Sequence, residues 1–510
     1  MSAVLQKESG GSMHPSATYA EAAFGLFLGV TPAWYKKAVI AILVLNPLLL
    51  LAAGPFVAGW AMVAEFIFFL AMALSAYPLL PGGLLVIEAL ALKLATPEGM
   101  YNEAHHNFPV IMLLMFIVAG VYFLQDWLKV VFRAVLLALP NKIAVSLAFS
   151  IAGAVLSAFL DALTVISVVI TVGVALNTTY NSYRSQQHVH DDIELEQFRA
   201  FMRSLVMHAA VGTMLGGVLT KVGEPQNLLI AHVMESTLPP EYAQHWTFFG
   251  FFIHMLPVTG PTFLAGLTTV FLVEKYKVFG YGAAMPATVR RLLEREAREE
   301  AENRTKADVV KLAVQTICAI MLVIGLALHL AEVGILGLFL IVLTTTFTGV
   351  DEEHKIGKAF TASLPFCALL VVFFGIVDVI AAQKLFAPVV ELALGQEAKG
   401  QQLAFYASSG ILSAISDNVF VATVFINEAT AAYKAGLISP EQFEFLAISI
   451  NAGTNIPSIA TPNGQAAFLF LLTSPLAPLI MLGYGRMVKM ALPYFVVVTI
   501  VSVLATWLLL

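Results

Sequence analysis

Ser157-Ala158-Phe159-Leu160-Asp161-Ala162 and Ser413-Ala414-Ile415-Ser416-Asp417-Asn418 are one phrase written twice, half a chain apart. Each lies inside a long apolar run and sets one carboxylate near the run's middle. The run around the first, Ile143 to Leu176, carries Asp161 as its one charge. A straight helix of that length would extend about 50 Å at 1.5 Å per residue, well past a hydrocarbon core of about 30 Å. A re-entrant hairpin turning near Asp161 fits that core better. An ionisable group at such depth is expensive and by default marks a transport or proton path.

The surrounding composition agrees. Of 510 residues, 59% are hydrophobic and 12% charged, and the mean hydropathy is +0.85. Soluble domains carry about 25% charged residues. Apolar runs long enough to span follow one another along the chain, so an all-α polytopic membrane protein is predicted, with the lipid bilayer as its surroundings. No polybasic arm accompanies the net charge of −6, and no nucleic-acid partner is expected. Cys318 and Cys367 lie in apolar surroundings without metal-ligand spacing and read as free thiols.

Charge punctuation divides the chain. Residues 1–33 form a polar N-terminal segment without the pattern of a cleaved signal peptide. Residues 34–273 hold a first set of apolar runs, beginning with Ala38–Gly59 and Trp60–Leu80. Residues 274–308 are a charged connector, expected to be cytoplasmic, with a salt-bridged helix from Arg290 to Lys306. Residues 309–510 hold the second set.

Each hairpin phrase is followed by a second broken segment of matching grammar. Gly212-Thr213 leads to Thr220, Gly223 and Asn227; Gly453-Thr454 leads at the same spacing to Thr461, then Asn463 and Gly464. The loops flanking the first hairpin carry Arg133, Lys142, Arg184, Arg199 and Arg203, whereas Lys399 and Lys434 flank the second. Basic residues favour the cytoplasmic side, so the first hairpin is expected to enter from the cytoplasm and the second from outside. That is an inverted repeat, whose two re-entrant hairpins and two discontinuous helices would meet at the membrane midplane.

Unwound backbone at that depth survives only when buried in protein or lining a cavity. It frees carbonyls, and small hard cations prefer such oxygens together with a neutralising carboxylate. The candidate cation and proton ligands are therefore Asp161 with Ser157 and Thr164, and Asp417 with Ser413 and Asn418. Thr220, Asn227, Thr454, Asn455, Thr461 and Asn463 join them from the partner breaks. Asp161 and Asp417 are the expected sodium ligands, each able to exchange the cation for a proton. The plainer reading makes each aspartate the cap of the half-helix behind it, and each Thr or Asn an interhelical hydrogen bonder. Lys221 and Glu224 are expected to pair with each other. Glu65, Glu88, Asp378 and Glu332 are single acids without a repeat partner.

Ser157-Ala-Phe-Leu-Asp161-Ala-Leu-Thr164, Gly216-Gly-Val-Leu-Thr220-Lys-Val-Gly-Glu-Pro-Gln-Asn227, Ser416-Asp-Asn-Val-Phe-Val421 and Asn451-Ala-Gly-Thr-Asn-Ile-Pro-Ser-Ile-Ala-Thr-Pro-Asn-Gly-Gln465 resemble the NhaB-type sodium/proton antiporters. The resemblance runs from about Trp34 to the end, while Met1 to about Tyr19 looks peculiar to this sequence. It implies a multi-pass protein of the bacterial inner membrane that exchanges sodium or lithium for protons without a cofactor. It also implies the ion-transporter superfold with paired hairpins, whose members often form homodimers. The main alternative is a sodium-coupled carboxylate carrier of the same fold, against which an aspartate in each hairpin argues. An enzyme is not expected: no His-Glu-x-x-His motif occurs, and no His or Cys cluster is visible within a span. The absence of a Gly-x-x-x-x-Gly-Lys-Ser/Thr motif removes an ATP-driven pump. Asp161, followed by Ala162, and Asp417, followed by Asn418, offer different ligand sets, with Asp161 favoured as the principal carrier.

Overall fold

Ala33–Ala71 (α1) is 39 helical residues long, about 58 Å if straight. It is not straight. Gly54 has φ 84° and ψ 175°, a conformation that side-chain-bearing residues rarely adopt, and Pro55 follows it without an N–H to offer. Asn46 Nδ2 donates to Glu65 Oε2 at 2.9 Å, although a continuous helix would hold the two about 28 Å apart. The chain therefore reverses at Gly54 and its two arms lie side by side. The sequence expectation had placed the break at Gly59–Trp60; hydropathy could not find it because both arms and the turn are equally apolar. The same Asn46 amide reaches Glu88 Oε2 at 2.8 Å, which ties both arms to Leu79–Ala91 (α2).

This computed structural model describes residues 18–139, 141–187, 191–361 and 363–510. Residues 1–17 of the polar N-terminal segment lie outside them. The rest of that segment contains a short helix, Tyr19–Leu26, started by a Thr18–Glu21 capping box. Helices account for the architecture, and no strand occurs among the described residues.

Lys142–Ser157 (α3), Ala162–Gln186 (α4) and Asp192–Gly217 (α5) follow, with breaks at Ala158–Asp161 and after Gly217. Helix α5 lies tightly along α3, because a Cβ at Gly212 or Gly216 would collide with the carbonyls of Ser150 or Ala154. Small residues are what allow backbones to approach this closely inside a membrane. Pro225–Thr237 (α6) continues from the second break.

Phe248–Tyr276 (α7) is a long post between two polar staples. At its start, Trp246 Nε1 donates to Glu444 Oε1 at 3.0 Å. At its end, Glu274 accepts from Lys142 Nζ at 2.7 Å and Ser146 Oγ at 3.1 Å, and also from Ser204. His208 Nε2 lies 2.8 Å from the same carboxylate, and its Nδ1 lies 2.9 Å from the Tyr494 hydroxyl. Glu274, read from sequence as the first residue of the connector, is thus a buried helix residue.

The connector's helix, Ala287–Asn303 (α8), carries the expected i,i+4 pairs Arg290–Glu294 at 3.2 Å and Arg295–Glu299 at 2.6 Å. One face is not solvated. Val289 and Leu293 are buried, and Thr179 Oγ1 donates to Glu296 at 2.6 Å, docking α8 on the first half.

Lys306–Ala327 (α9) and Leu364–Ala382 (α10) begin the second half. Ala398–Ser413 (α11), Asn418–Lys434 (α12) and Pro440–Asn455 (α13) then repeat the pattern of α3 to α5, and Tyr484–Leu509 (α14) closes the chain. Helices α4, α7, α9, α10 and α14 are each long and apolar enough to cross a membrane, and α1 meets the same test of length and composition although it is folded back at Gly54. Pro97–His106 with Phe108–Tyr122, bent by 64°, makes a seventh as a broken pair. The fold is that of a multi-pass membrane protein.

Because Gly216 meets backbone rather than a movable side chain, Gly216→Val forces α3 and α5 apart. Overpacking of this kind costs about 1–3 kcal/mol or more. The melting temperature of the purified variant, followed by size-exclusion after heating, is expected to fall, whereas Gly485→Ala, which has nothing within 4 Å, leaves it unchanged.

Candidate functional site

Both aspartates cap helices. Asp161 Oδ2 accepts from the backbone N–H groups of Leu163 at 3.0 Å and Thr164 at 3.3 Å. Asp417 Oδ1 accepts from Val419 at 2.8 Å and Phe420 at 3.3 Å. Helix α4 or α12 thus opens deep in the protein with its first N–H groups satisfied by a carboxylate, which the positive end of the helix favours. Among the described residues, the second oxygen of each aspartate makes no hydrogen bond. The capping reading is therefore correct, and it leaves half of each carboxylate free.

Each break is braced by a threonine from the partner segment. Thr220 Oγ1 donates to Ala158 O at 2.5 Å and accepts from Gly223 N at 3.2 Å. Thr461 Oγ1 donates to Ala414 O at 2.6 Å and accepts from Gly464 N at 3.2 Å. Ser413 Oγ donates to Thr454 O at 2.6 Å and touches Asn418. The amide nitrogen of Asn418, in the orientation that satisfies its neighbours, donates to Gly464 O at 2.9 Å and Thr454 O at 3.1 Å.

The two halves are clasped by amides. Gln226 Nε2 donates to Asn455 Oδ1 at 2.8 Å, and Asn455 Nδ2 donates to Asn227 Oδ1 at 3.0 Å. Asn227 Nδ2 in turn holds the carbonyls of Gly217 and Thr220, at 2.8 and 2.7 Å. Of the residues read from sequence as ligands, Asn227 and Asn455 therefore spend their oxygens on each other and on Gln226. Thr454 bonds its own helix, to Ile450 O at 2.9 Å. Asn463 turns away from the aspartates and donates to Ala71 O, in α1, at 2.5 Å. Ser157 and Thr164, on either side of Asp161, keep buried hydroxyls without partners.

One expectation is overturned outright. Lys221 does not pair with Glu224: its Nζ donates to Glu235 Oε1 at 2.6 Å. Glu235 lies on the far side of the Pro225 turn, where sequence proximity gave no hint of it. Glu224 is left buried, with Oε1 unpartnered and both Asp161 and Asp417 within electrostatic reach. Sequence reasoning also missed Ser416 and Gln465, whose buried polar atoms have no partners. The spacing that pairs Thr220 with Thr461 would have pointed to Gln465, since it carries Glu224 onto that position.

A family profile described as Bacterial Na+/H+ antiporter B (NhaB) matches residues 16–510. The chain belongs to the NhaB family. The match begins ahead of Trp34, where the motifs alone had placed the start of the resemblance. A relative named Na(+)/H(+) antiporter NhaB from Vibrio atlanticus is 54% identical over 491 residues, covering 93% of this chain and 91% of the relative. Relatives of the same name from Shewanella frigidimarina and Pseudomonas aeruginosa PAO1 are each 53% identical, covering 96% and 92% of this chain and 93% and 95% of their own. The family is one of transporters, named for sodium/proton antiport.

The remaining candidates lie elsewhere. Asp378 accepts from Thr96 N at 2.7 Å and so holds the residue whose side chain caps Pro97–His106. Glu65 and Glu88, read as isolated acids, share the Asn46 amide. His245, His254 and Glu444 bring ligand atoms within 4.8 Å of one another, so a histidine cluster does exist, with His254 inside α7. Its members are too far apart in sequence for spacing to reveal. Both cysteines are free and buried.

Removing either bracing hydroxyl leaves a carbonyl and an N–H without partners, buried in the first break and half-buried in the second, at up to about 1–3 kcal/mol each. Thr220→Val and Thr461→Val are each expected to lower the thermal unfolding midpoint by several degrees, while the serine variants retain it.

Proposed function

We propose that this chain is a secondary antiporter exchanging sodium or lithium for protons across the bacterial inner membrane, with Asp161 and Asp417 as shared cation and proton sites. The observation that carries this reading is the half-used carboxylate in each break. One oxygen holds the N-terminus of a half-helix, and the other makes no hydrogen bond among the described residues; nearby in sequence, the Ser157 and Thr164 hydroxyls in the first break and that of Ser416 in the second lack partners. A carboxylate there cannot stand charged and alone at low cost. It can be neutralised by a small cation held also by freed carbonyls and hydroxyls, or by a proton. Occupancy by one excludes the other, and that exclusion couples the two flows.

Alternating access requires the two breaks to be reached from opposite sides. We take α3–α4 and α11–α12 as re-entrant hairpins in inverted repeats, residues 34–273 and 309–510, joined by the cytoplasmic connector 274–308. Several contacts support this. Tyr180 near the end of α4 packs on Phe198 near the start of α5, and Ser204, further along α5, shares Glu274 with Ser146 near the start of α3. Tyr433 at the end of α12 stacks on Phe443 at the start of α13, and Gln442 donates to Ala398 O, at the start of α11, at 3.0 Å. The start of α13 is stapled to the head of α7 through Glu444, whereas the start of α3 is stapled to its foot through Lys142 and Glu274. The entrances of the two hairpins thus lie at opposite ends of one spanning helix. A carboxylate substrate is disfavoured, because Asp161, Asp417 and Glu224, all acids, would face it.

In everted vesicles holding an imposed pH gradient, sodium or lithium is expected to dissipate the gradient and succinate is not. Asp161→Asn and Asp417→Asn should each reduce the cation response to that of vesicles lacking the protein. A response to succinate without one to the cations would sink the reading.

A further inference from the structure

Glu224 has no task in the scheme above. It stands in the break between α5 and α6, 3% exposed, and its neighbouring cation is committed to Glu235. Its side chain rests on Gly217, where an added Cβ would come within 3.0 Å of Cγ and 3.2 Å of Oε1. A larger residue at 217 would displace the carboxylate, so the glycine makes room for it. The amides of Gln226 and Gln465 face Glu224, but Gln226 spends its nitrogen on Asn455 and neither polar atom of Gln465 closes a hydrogen bond.

Gln465 is fully buried and is the counterpart of Glu224. The offset from Thr220 to Thr461 carries Gly223 onto Gly464 and Glu224 onto Gln465. The flanking contacts match as well: a Cβ at Gly223 would crowd Ser157 O, and one at Gly464 would crowd Ser413 O. An acid in one half therefore meets its uncharged isostere from the other. Around them, Ser157, Thr164 and Ser416 also hold buried hydroxyls without partners. More than nine in ten buried polar groups are hydrogen-bonded in folded proteins, and an unpartnered buried carboxylate is the costliest exception. Buried polar atoms left over in both breaks, among them Glu224 Oε1 and the Gln465 amide that faces it, point to a ligand that is small and oxygen-seeking.

Resting on the aspartate reading above, we propose that Glu224 and Gln465 form a third, central cation and proton station between Asp161 and Asp417. Glu224 carries the charge that both half-sites share. With sodium present, its carboxylate and the Gln465 carbonyl oxygen ligate the ion. As sodium leaves, Glu224 takes up a proton from the side to which the site is open and later releases it to the other. The three acids cannot all stand ionised together in so small a volume without a cation. A sodium ion shared by Glu224 and an aspartate lowers the proton affinity of both carboxylates, so that its arrival releases one proton from each and leaves one net negative charge on the site, and Glu224 contributes to the number of protons exchanged per sodium.

The test uses the full-length chain in proteoliposomes, with opposing sodium and proton gradients adjusted to the point of zero net flux. Glu224→Gln is expected to move fewer protons per sodium, displacing that null point, and to weaken apparent sodium affinity. An active variant with unchanged null point and affinity overturns the proposal. Should Glu224→Gln be inactive but elute as the parent protein does, the exchange E224Q/Q465E decides. Restored exchange supports a shared central site, and continued inactivity assigns Glu224 a purely local structural role. Should Glu224→Gln not fold, Gln465→Glu alone serves. A second acid beside Glu224 is expected to raise the pH of half-maximal exchange, and an unmoved profile counts against the proposal. If the aspartate variants abolish exchange while Glu224→Gln changes nothing, only this proposal fails; if the aspartate variants exchange normally, the earlier reading fails.

Discussion

A helix that starts in the middle of a membrane protein exposes N–H groups that neither lipid nor its own turns can satisfy. Asp161 and Asp417 resolve that problem for α4 and α12, and much else in the molecule keeps the solution in place. Thr220 and Thr461 hold the carbonyls of Ala158 and Ala414, so that the loops ahead of the aspartates cannot rewind into helix. Gly212 and Gly216 let α5 approach α3 closely enough for Thr220 to reach. The Gln226–Asn455–Asn227 bridge then fixes one break against the other. A charge needed for folding is thereby held where an ion could use it.

The frame around this centre is set at the two ends of α7. Glu274 gathers Lys142, Ser146, Ser204 and His208 from two helices of the first half, and His208 passes the connection to Tyr494 in the last helix. Glu444 gathers Trp246 and His245 at the opposite end. Buried carboxylates with several donors are well satisfied and rigidify what they join. These two differ in kind from Glu224, which is equally buried and has no donor at Oε1.

What was legible in the sequence was local. The repeated phrases around Asp161 and Asp417, and the Thr220 and Thr461 that brace them, sit within short windows where glycine, proline and polar residues interrupt apolar runs. The membrane class was legible for the same reason. The reversal at Gly54 was not, because an apolar hairpin and an apolar straight helix have the same hydropathy; only the Asn46–Glu65 contact separates them. Partner choice was illegible too. Lys221 prefers a glutamate across a helical turn to one nearby, and Asn463 binds a carbonyl in the first helix rather than a cation beside Asp417. Such contacts are decided by three-dimensional packing, which no spacing rule encodes.

The two breaks are alike in backbone and unlike in what they leave free. Asn418 uses its amide to tie the second break to Gly464 and Thr454, and Ser413 is bonded to Thr454 as well. In the first half, Ala162 stands at the position of Asn418 and can tie nothing, while Ser157, the counterpart of Ser413, has no partner. The first break consequently keeps its oxygens available and the second spends them on its own rigidity. The unpaired acid follows the same asymmetry, with Glu224 in the first half and an amide at the matching position in the second. On the proposed function, a cation would meet both free hydroxyls and the extra acid in the half that carries Asp161, so similar bracing of the two breaks does not make the two aspartates equivalent.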